Sequence, residues 1–143
     1  MSAAVWGPEG LVSAEQVVDG ARHGVALAPL IRGLLGAQGL KVKDLSALAV
    51  SLGPGSWTGL RIGLAAAKAM AWAARIGLIG VPSLEALAWG IHRARRREAP
   101  PASSLVLTIR SAYSEGLYAA LFSLTGTGPR RAGRYTSSGS VRF

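Results

Sequence analysis

Ser51-Leu52-Gly53-Pro54-Gly55-Ser56-Trp57-Thr58-Gly59-Leu60-Arg61-Ile62-Gly63-Leu64 is the stretch whose reading decides the fold. The apolar run Leu45 to Leu52 that leads into it is short enough for a buried strand. Gly53-Pro54-Gly55 then turns the backbone sharply, and a helix follows from about Gly59 to Arg75. Within that helix Gly59, Gly63 and Ala67 recur every four positions, which lets a second backbone approach closely, and Gly77 is placed to close it in a left-handed conformation. A strand that enters a helix through glycines exposes backbone N–H groups at the helix start, a geometry suited either to an anion or to tight packing. Both readings stay open on spacing alone. The stretch is not a phosphate loop of the GxxxxGK[ST] kind, because Leu60 follows Gly59 where a Lys would be needed, and three residues between Gly55 and Gly59 break a GxGxxG pattern.

Working outward, Ser2 to Trp6 and Leu11 to Val18 read as a hairpin around Gly7-Pro8-Glu9-Gly10. From about Val25 to Gln38, Leu27, Leu30, Ile31, Leu34 and Leu35 fall at helical spacing, Pro29 predicts a kink or a late start, and Gly39 is a stop. Downstream, Leu78 to Val81 is an apolar strand, and Ser83 is a plausible N-cap for a third helix that has Glu85 in its first turn and arginines at its last. Glu98 to Ser104, with Pro100-Pro101, is a linker, and Leu105 to Ile109 and Leu117 to Leu124 form a second hairpin. Residues 1–124 therefore read as one domain. Residues 125–143 are a basic Gly/Ser/Arg tail with too little apolar surface to order itself.

Composition narrows the chemistry. The chain has 143 residues, 50% of them hydrophobic, and no Cys, which excludes a disulfide scaffold, a thiolate metal site and a Cys nucleophile. Two His and seven acids make a dense metal site unexpected. No stretch approaches the ~20 apolar residues of a membrane span, and Met1 to Pro8 lack the pattern of a signal peptide, so a cytoplasmic chain without a membrane contact is expected. The net charge of +9 is lopsided: residues 1–85 hold seven basic and five acidic residues, residues 86–143 nine and two. The excess sits in Arg93, Arg95, Arg96 and Arg97 and in Arg130, Arg131, Arg134 and Arg142. A solvated helix end explains the first group, and a basic RNA-binding module that contacts phosphates is the alternative. Few aromatics accompany these arginines, so base-stacking recognition is not suggested. Ser56 has no His or acid neighbour to activate it, His92 among arginines reads as a solvated side chain, and no residue is assigned a catalytic role.

The motif residues Gly53, Pro54, Gly55, Ser56, Trp57, Thr58, Gly59, Arg61 and Gly63, followed by Lys68 and by Gly80-Val81-Pro82-Ser83-Leu84-Glu85-Ala86-Leu87-Ala88, closely resemble the TsaB (YeaZ) family, whose patterns read GPGSFTGLRIG and GVSSLEALA. Trp57 for Phe and Pro82 for Ser are the departures within them. Arg22-His23 and Leu27-Ala28-Pro29-Leu30-Ile31 resemble the family's RHSERLLPLI, so the resemblance covers about residues 1–123. It implies an α/β fold of the actin-like ATPase class (ASKHA, ribonuclease H-like), a mixed sheet with helices. It also implies a noncatalytic dimerisation subunit of the machinery that transfers a threonylcarbamoyl group to N6 of the adenosine beside the anticodon in tRNAs reading ANN codons. Its partners would be a TsaD-type catalytic subunit, a TsaE-type ATPase joining through the heterodimer, and tRNA indirectly, with a homodimer as the other pairing. The helices at 25–38 and 59–75 would form the interface through Leu27, Leu30, Ile31, Leu34, Leu35, Gly59, Ile62, Gly63 and Ala67, read as an exposed apolar stripe beside a small-residue ridge.

Four features depart from the family or from its catalytic relative. The metal-binding His-x-x-x-His pair of the catalytic subunit is absent, since Leu27 stands four residues after His23, and neither a metal nor a cofactor is expected. The family's first strand, with its Ile-Asp-Thr-Ser-like segment, has no counterpart, and Ser111-Ala112-Tyr113 stands where Asp-Ala-Arg is expected. An Arg-Gly-Ser tail replaces the second half-domain. The expectation is a chain truncated at both ends, incomplete as a domain, with an exposed sheet edge.

Overall fold

The computed structural model describes residues 2–16, 23–95, 104–111, 116–133 and 136–139. These form two compact units: Met1–Val50 with Trp57–Gly80, and Ser51–Ser56 with Val81–Phe143. The Gly-rich turn of the deciding stretch is where the chain first leaves one unit for the other.

In the first unit, β1 (Ser2–Gly7) and β2 (Gly10–Gln16) pair antiparallel around Pro8-Glu9, and Gly10 takes the positive φ of 119° that closes the turn. The pairing slips by one residue between Val5 and Trp6. Helix α1 (His23–Gly36) continues through Pro29 and ends at Gly39, whose φ of 66° is the left-handed stop that the sequence predicts. Leu30, Leu34 and Leu35 are buried with Val5, and Ala3, Ile31, Leu40, Val42 and Leu45 pack around them. Each fully buried Leu contributes about 2 kcal/mol of burial. A single 3₁₀ turn, Val42–Asp44, which the sequence reading does not resolve, is pinned by the Lys41 N–H donating to Asp44 Oδ2 at 2.8 Å. Strand β3 (Ala47–Gly53) pairs with β4 (Gly77–Pro82), and α2 (Trp57–Ala74) lies between them in sequence.

The closing residue of α2 corrects the sequence reading. Arg75, at φ 56°, holds the left-handed position, and Gly77 is already the first residue of β4. The Ile76 N–H donates to the Ala71 carbonyl at 3.0 Å, a bond from two residues past the helix to its last turn that requires the residue between to be left-handed whatever its type.

In the second unit, α3 (Ser83–Arg95) packs on a four-stranded antiparallel sheet of β5 (Ser104–Ser111), β6 (Gly116–Thr125), β7 (Gly128–Arg131) and β8 (Thr136–Gly139). Strand β6 pairs with β5 along one edge and with β7 and β8 along the other. Its core is Leu84, Ala88, Ala120 and Phe122, and the Thr108 hydroxyl donates to the Ala120 carbonyl at 3.2 Å. His92 is buried with them rather than solvated, four and eight residues along the helix from Ala88 and Leu84 and so on the same face. Its ring meets Trp89 edge-on, centroids 5.7 Å apart.

The tail departs from its composition. Residues 128–131 and 136–139 are strands where disorder is expected from Thr125 onward. What orders them is backbone pairing to β6 rather than apolar side chains. The Thr125 hydroxyl donates to the Gly128 carbonyl at 2.6 Å, the Ala132 N–H donates to the Leu121 carbonyl at 2.8 Å, and the Trp89 ring covers Gly128 so closely that no Cβ fits there. The linker core at 96–103, the turn at 112–115 and residues 140–143 lie outside the described residues.

A candidate docking face on helices α1 and α2

Helix α2 divides its residues by side. Gly63 faces β3, where a Cβ would stand 4.0 Å from Val50 Cγ2, and Ala67 and Ala71 are buried. Ile62 reaches across to α1, its Cδ1 3.7 Å from where Gly24 would carry a Cβ, and Gly59 is half-buried. The ridge Gly59-Gly63-Ala67 therefore lets the helix sit close to its own sheet. The same holds on α1, where Leu30, Leu34 and Leu35 are core residues and Leu27 and Ile31 are half-buried. The stripe read as exposed is this unit's own core, because a helix on a sheet must bury its apolar stripe before it can offer one to a partner.

The opposite sides of the two helices carry a different set, which the sequence reading passed over. On α2, Trp57, Arg61, Ala65, Lys68 and Trp72 follow one another at intervals of three or four and are all exposed, Trp57 at 73% and Trp72 at 87%. The two tryptophans are about 22 Å apart along the helix, at 1.5 Å per residue. The Arg61 guanidinium carbon lies 5.6 Å from the centre of the Trp57 ring. On α1, Val25 at 77%, Ala28, Pro29, Arg32, Gly33 and Gly36 are exposed, and nothing stands within 4 Å of a Cβ placed on Gly33 or Gly36. The two helices pack on each other within the same unit. Helix α2 thus exposes large aromatic rings and α1 exposes bare helix backbone, the two kinds of surface that docking of another helix uses. A periodic tryptophan on a helix that already has a small-residue inner face was the available signal.

The remaining motif residues hold the turn together. Gly53 is buried with φ 90°, Pro54, Gly55 and Ser56 are half-buried, and Thr58 is exposed. The Gly53 N–H donates to Ser51 Oγ at 3.3 Å, and Ser51 Oγ lies 2.7 Å from Ser83 Oγ, tying the end of β3 to the start of α3. Ser83 is buried and Glu85 half-buried. The Ser51 and Ser83 hydroxyls are thus engaged with the chain itself, which supports the packing reading of the turn.

The chain matches known proteins in both sequence and structure. Residues 18–130 match the family model described as TsaD, tRNA N6-adenosine threonylcarbamoyltransferase. The chain is 36% identical over 92 residues to the tRNA threonylcarbamoyladenosine biosynthesis protein TsaB of Escherichia coli, covering 64% of this chain and 39% of that protein. To the Bacillus subtilis protein of the same name it is 44% identical over 66 residues, 46% of this chain and 29% of the relative. Among solved structures, YeaZ from Pseudomonas aeruginosa superposes with a TM-score of 0.81 at 25% identity, covering 99% of this chain and 63% of YeaZ. The chain thus spans well under half of the curated relatives it matches, and its fold is that of the actin-like ATPase class to which YeaZ was likened above. With a family model matched over most of its length and TsaB and YeaZ proteins as its relatives, the chain belongs to the TsaD family, among its TsaB (YeaZ) members.

Proposed function

We propose that the chain is a noncatalytic docking subunit in the bacterial assembly that makes threonylcarbamoyladenosine in tRNA, and that it binds a TsaD-type catalytic subunit through the outer surface of α1 and α2. The observation that carries this is the exposed row Trp57, Arg61, Ala65, Lys68 and Trp72 on α2, together with the exposed Val25, Pro29 and Gly33 on α1. Monomeric surfaces rarely leave two tryptophans on one helix in water unless something covers them. The names of the curated relatives support the pathway. A noncatalytic role is supported by the sequence, where Leu27 replaces the second His of the catalytic subunit's metal-binding pair. A TsaE-type ATPase would join through the heterodimer, and work on tRNA places the assembly in the cytoplasm. No helix among the described residues is long and apolar enough to cross a membrane.

The test is light scattering coupled to size-exclusion chromatography, on the chain alone and mixed with the TsaD of the same organism. A heterodimer should form. It should be lost in Trp72→Glu and in Gly33→Arg, with thermal melting of the isolated chain unchanged, because neither residue packs in the core. A heterodimer that survives both substitutions would place the interface elsewhere and overturn the proposal.

A further inference from the structure

Helix α2 carries its charges on one side, and they have one sign. Arg61 and Lys68 stand four residues in from Trp57 and Trp72, so the exposed row reads ring, cation, alanine, cation, ring. At 3.6 residues per turn its five positions span about 80° of the helix surface, a single narrow stripe. The other exposed residues of the helix, Thr58, Ala69 and Ala73, are uncharged, and no acid occurs between Trp57 and Ala74. The two cations are about 10 Å apart along the axis at 1.5 Å per residue. Among the described residues, the Arg61 guanidinium lies over the Trp57 ring and neither cation pairs with a carboxylate.

Solubility does not account for this pattern. An exposed helix that serves only to stay in water mixes both signs and gains from opposite charges three or four residues apart, and α2 holds no such pair. Arg61 also lies just past the first turn, near the end where the helix dipole favours acids. The symmetry of the row bears on what can cover it. If a second copy docked α2 antiparallel on α2, Trp57 would meet Trp72 and each Arg61 would meet Lys68 of the other copy. In a parallel pair each cation would meet its own counterpart. Either arrangement sets two like-charged contacts between the tryptophans, and juxtaposed like charges suppress a partner. The rings call for a cover, Ala65 between the cations leaves room for another backbone, and a copy of this chain supplies the wrong charge.

We infer that the outer row of α2 takes a helix of opposite charge, with two carboxylates seven residues apart and room for a tryptophan ring one turn outside each, and that it excludes a second copy of this chain. The inference rests on the docking reading of this face, to which it adds the chemistry of the partner.

Arg61→Glu with Lys68→Glu turns the chain into its own probe, because that variant presents two carboxylates at the required spacing. Light scattering on the 143-residue chains in 50 mM KCl should give the monomer mass for the parent alone and for the variant alone, and about twice that mass for their equimolar mixture. Lys43→Glu with Arg110→Glu makes the same change in net charge off this helix and should not pair with the parent. Thermal melting of the Arg61 and Lys68 variants should stay close to that of the parent, since both side chains are exposed. In a titration with TsaD, neutral Arg61→Gln with Lys68→Gln should weaken the heterodimer roughly 2- to 30-fold in the same buffer. A mixture that stays monomeric would overturn the inference. So would a Lys43/Arg110 variant that pairs equally well, or a parent that dimerises alone and loses the dimer in Trp72→Glu. The docking proposal fails separately, when TsaD does not bind or binds Trp72→Glu and Gly33→Arg as well as the parent. If TsaD binds, is lost in Trp72→Glu and is indifferent to neutralising Arg61 and Lys68, the docking face stands and the acidic partner falls.

Discussion

Gly39 and Arg75 do the same job at the ends of two helices and differ only in what occupies the site. After α1, the Leu40 N–H donates to the Leu35 carbonyl at 2.9 Å and the Gly39 N–H to the Gly36 carbonyl at 3.0 Å. After α2, the corresponding bonds are Ile76 to Ala71 at 3.0 Å and Arg75 to Trp72 at 3.3 Å. Both close the helix with a left-handed residue, at φ 66° and 56°. Glycine takes that conformation freely, whereas a residue with a Cβ pays about 1 kcal/mol for it. Arg75→Gly should therefore stabilise the chain by about 1 kcal/mol, less a few tenths for the added freedom of the unfolded chain, seen as a higher urea midpoint at unchanged slope. Gly39→Ala should cost about the same amount. If Arg75→Gly lowers the midpoint, the Arg side chain is making a contact that outweighs its backbone. The sequence shows why one stop was legible and the other was not. Gly39 follows its periodic segment directly, but Gly77 two residues after Arg75 is an equally good stop on composition, and only the hydrogen-bond register assigns the turn to Arg75.

At the scale of the elements, periodicity identifies the sides of α1 and α2 that must leave water but not what covers them. Leu30, Leu34, Leu35 and Ala67 read equally well as an interface or as a core, and their burial, for the three leucines against Val5, decides for the core. Helix and strand positions were legible because their cause is local: apolar spacing, Gly39, Pro82-Ser83 and the Gly-rich turn each act within a few residues. The outer row of Trp57, Arg61, Ala65, Lys68 and Trp72 was not, since mixed aromatic, small and basic residues have no single hydropathy signature. Strands β7 and β8 were missed for a related reason: their order comes from pairing with β6, which tail composition cannot report. The two sides of α2 make opposite predictions for the same change. Gly63→Leu drives a side chain toward Val50 and should cost about 1–3 kcal/mol of stability. Ala65→Leu, on the exposed row, should stay within about 0.5 kcal/mol of the parent in stability. It should instead weaken association with TsaD by crowding the face. Urea melts and heterodimer light scattering on the pair separate folding from docking, and equal stability losses in both would show that Ala65 is not on a free surface.

For the whole molecule, charge and exposed apolar area act against each other, and salt tips the balance. Strand β5 pairs with β6 and, among the described residues, with no other strand, and Leu105, Leu107 and Ile109 on its uncovered face are 66%, 57% and 50% exposed. Opposite them on β6 stand Ser123, Leu121 and Ala119, so the apolar surface continues across two strands. An unpaired edge next to an alternating apolar row invites edge-to-edge association. A net charge of +9 opposes it, because like-charged chains repel when the screening length is long. That length falls from about 10 Å at 0.1 M salt to about 3 Å at 1 M. The weight-average mass of the isolated chain by light scattering should therefore rise as KCl is raised across this range. Leu107→Lys puts a charge in the middle of the apolar row and should abolish the rise. A mass independent of salt, or a rise unchanged by Leu107→Lys, would mean that β5 does not drive association and that the exposed tryptophans of α2 are the surface to test next.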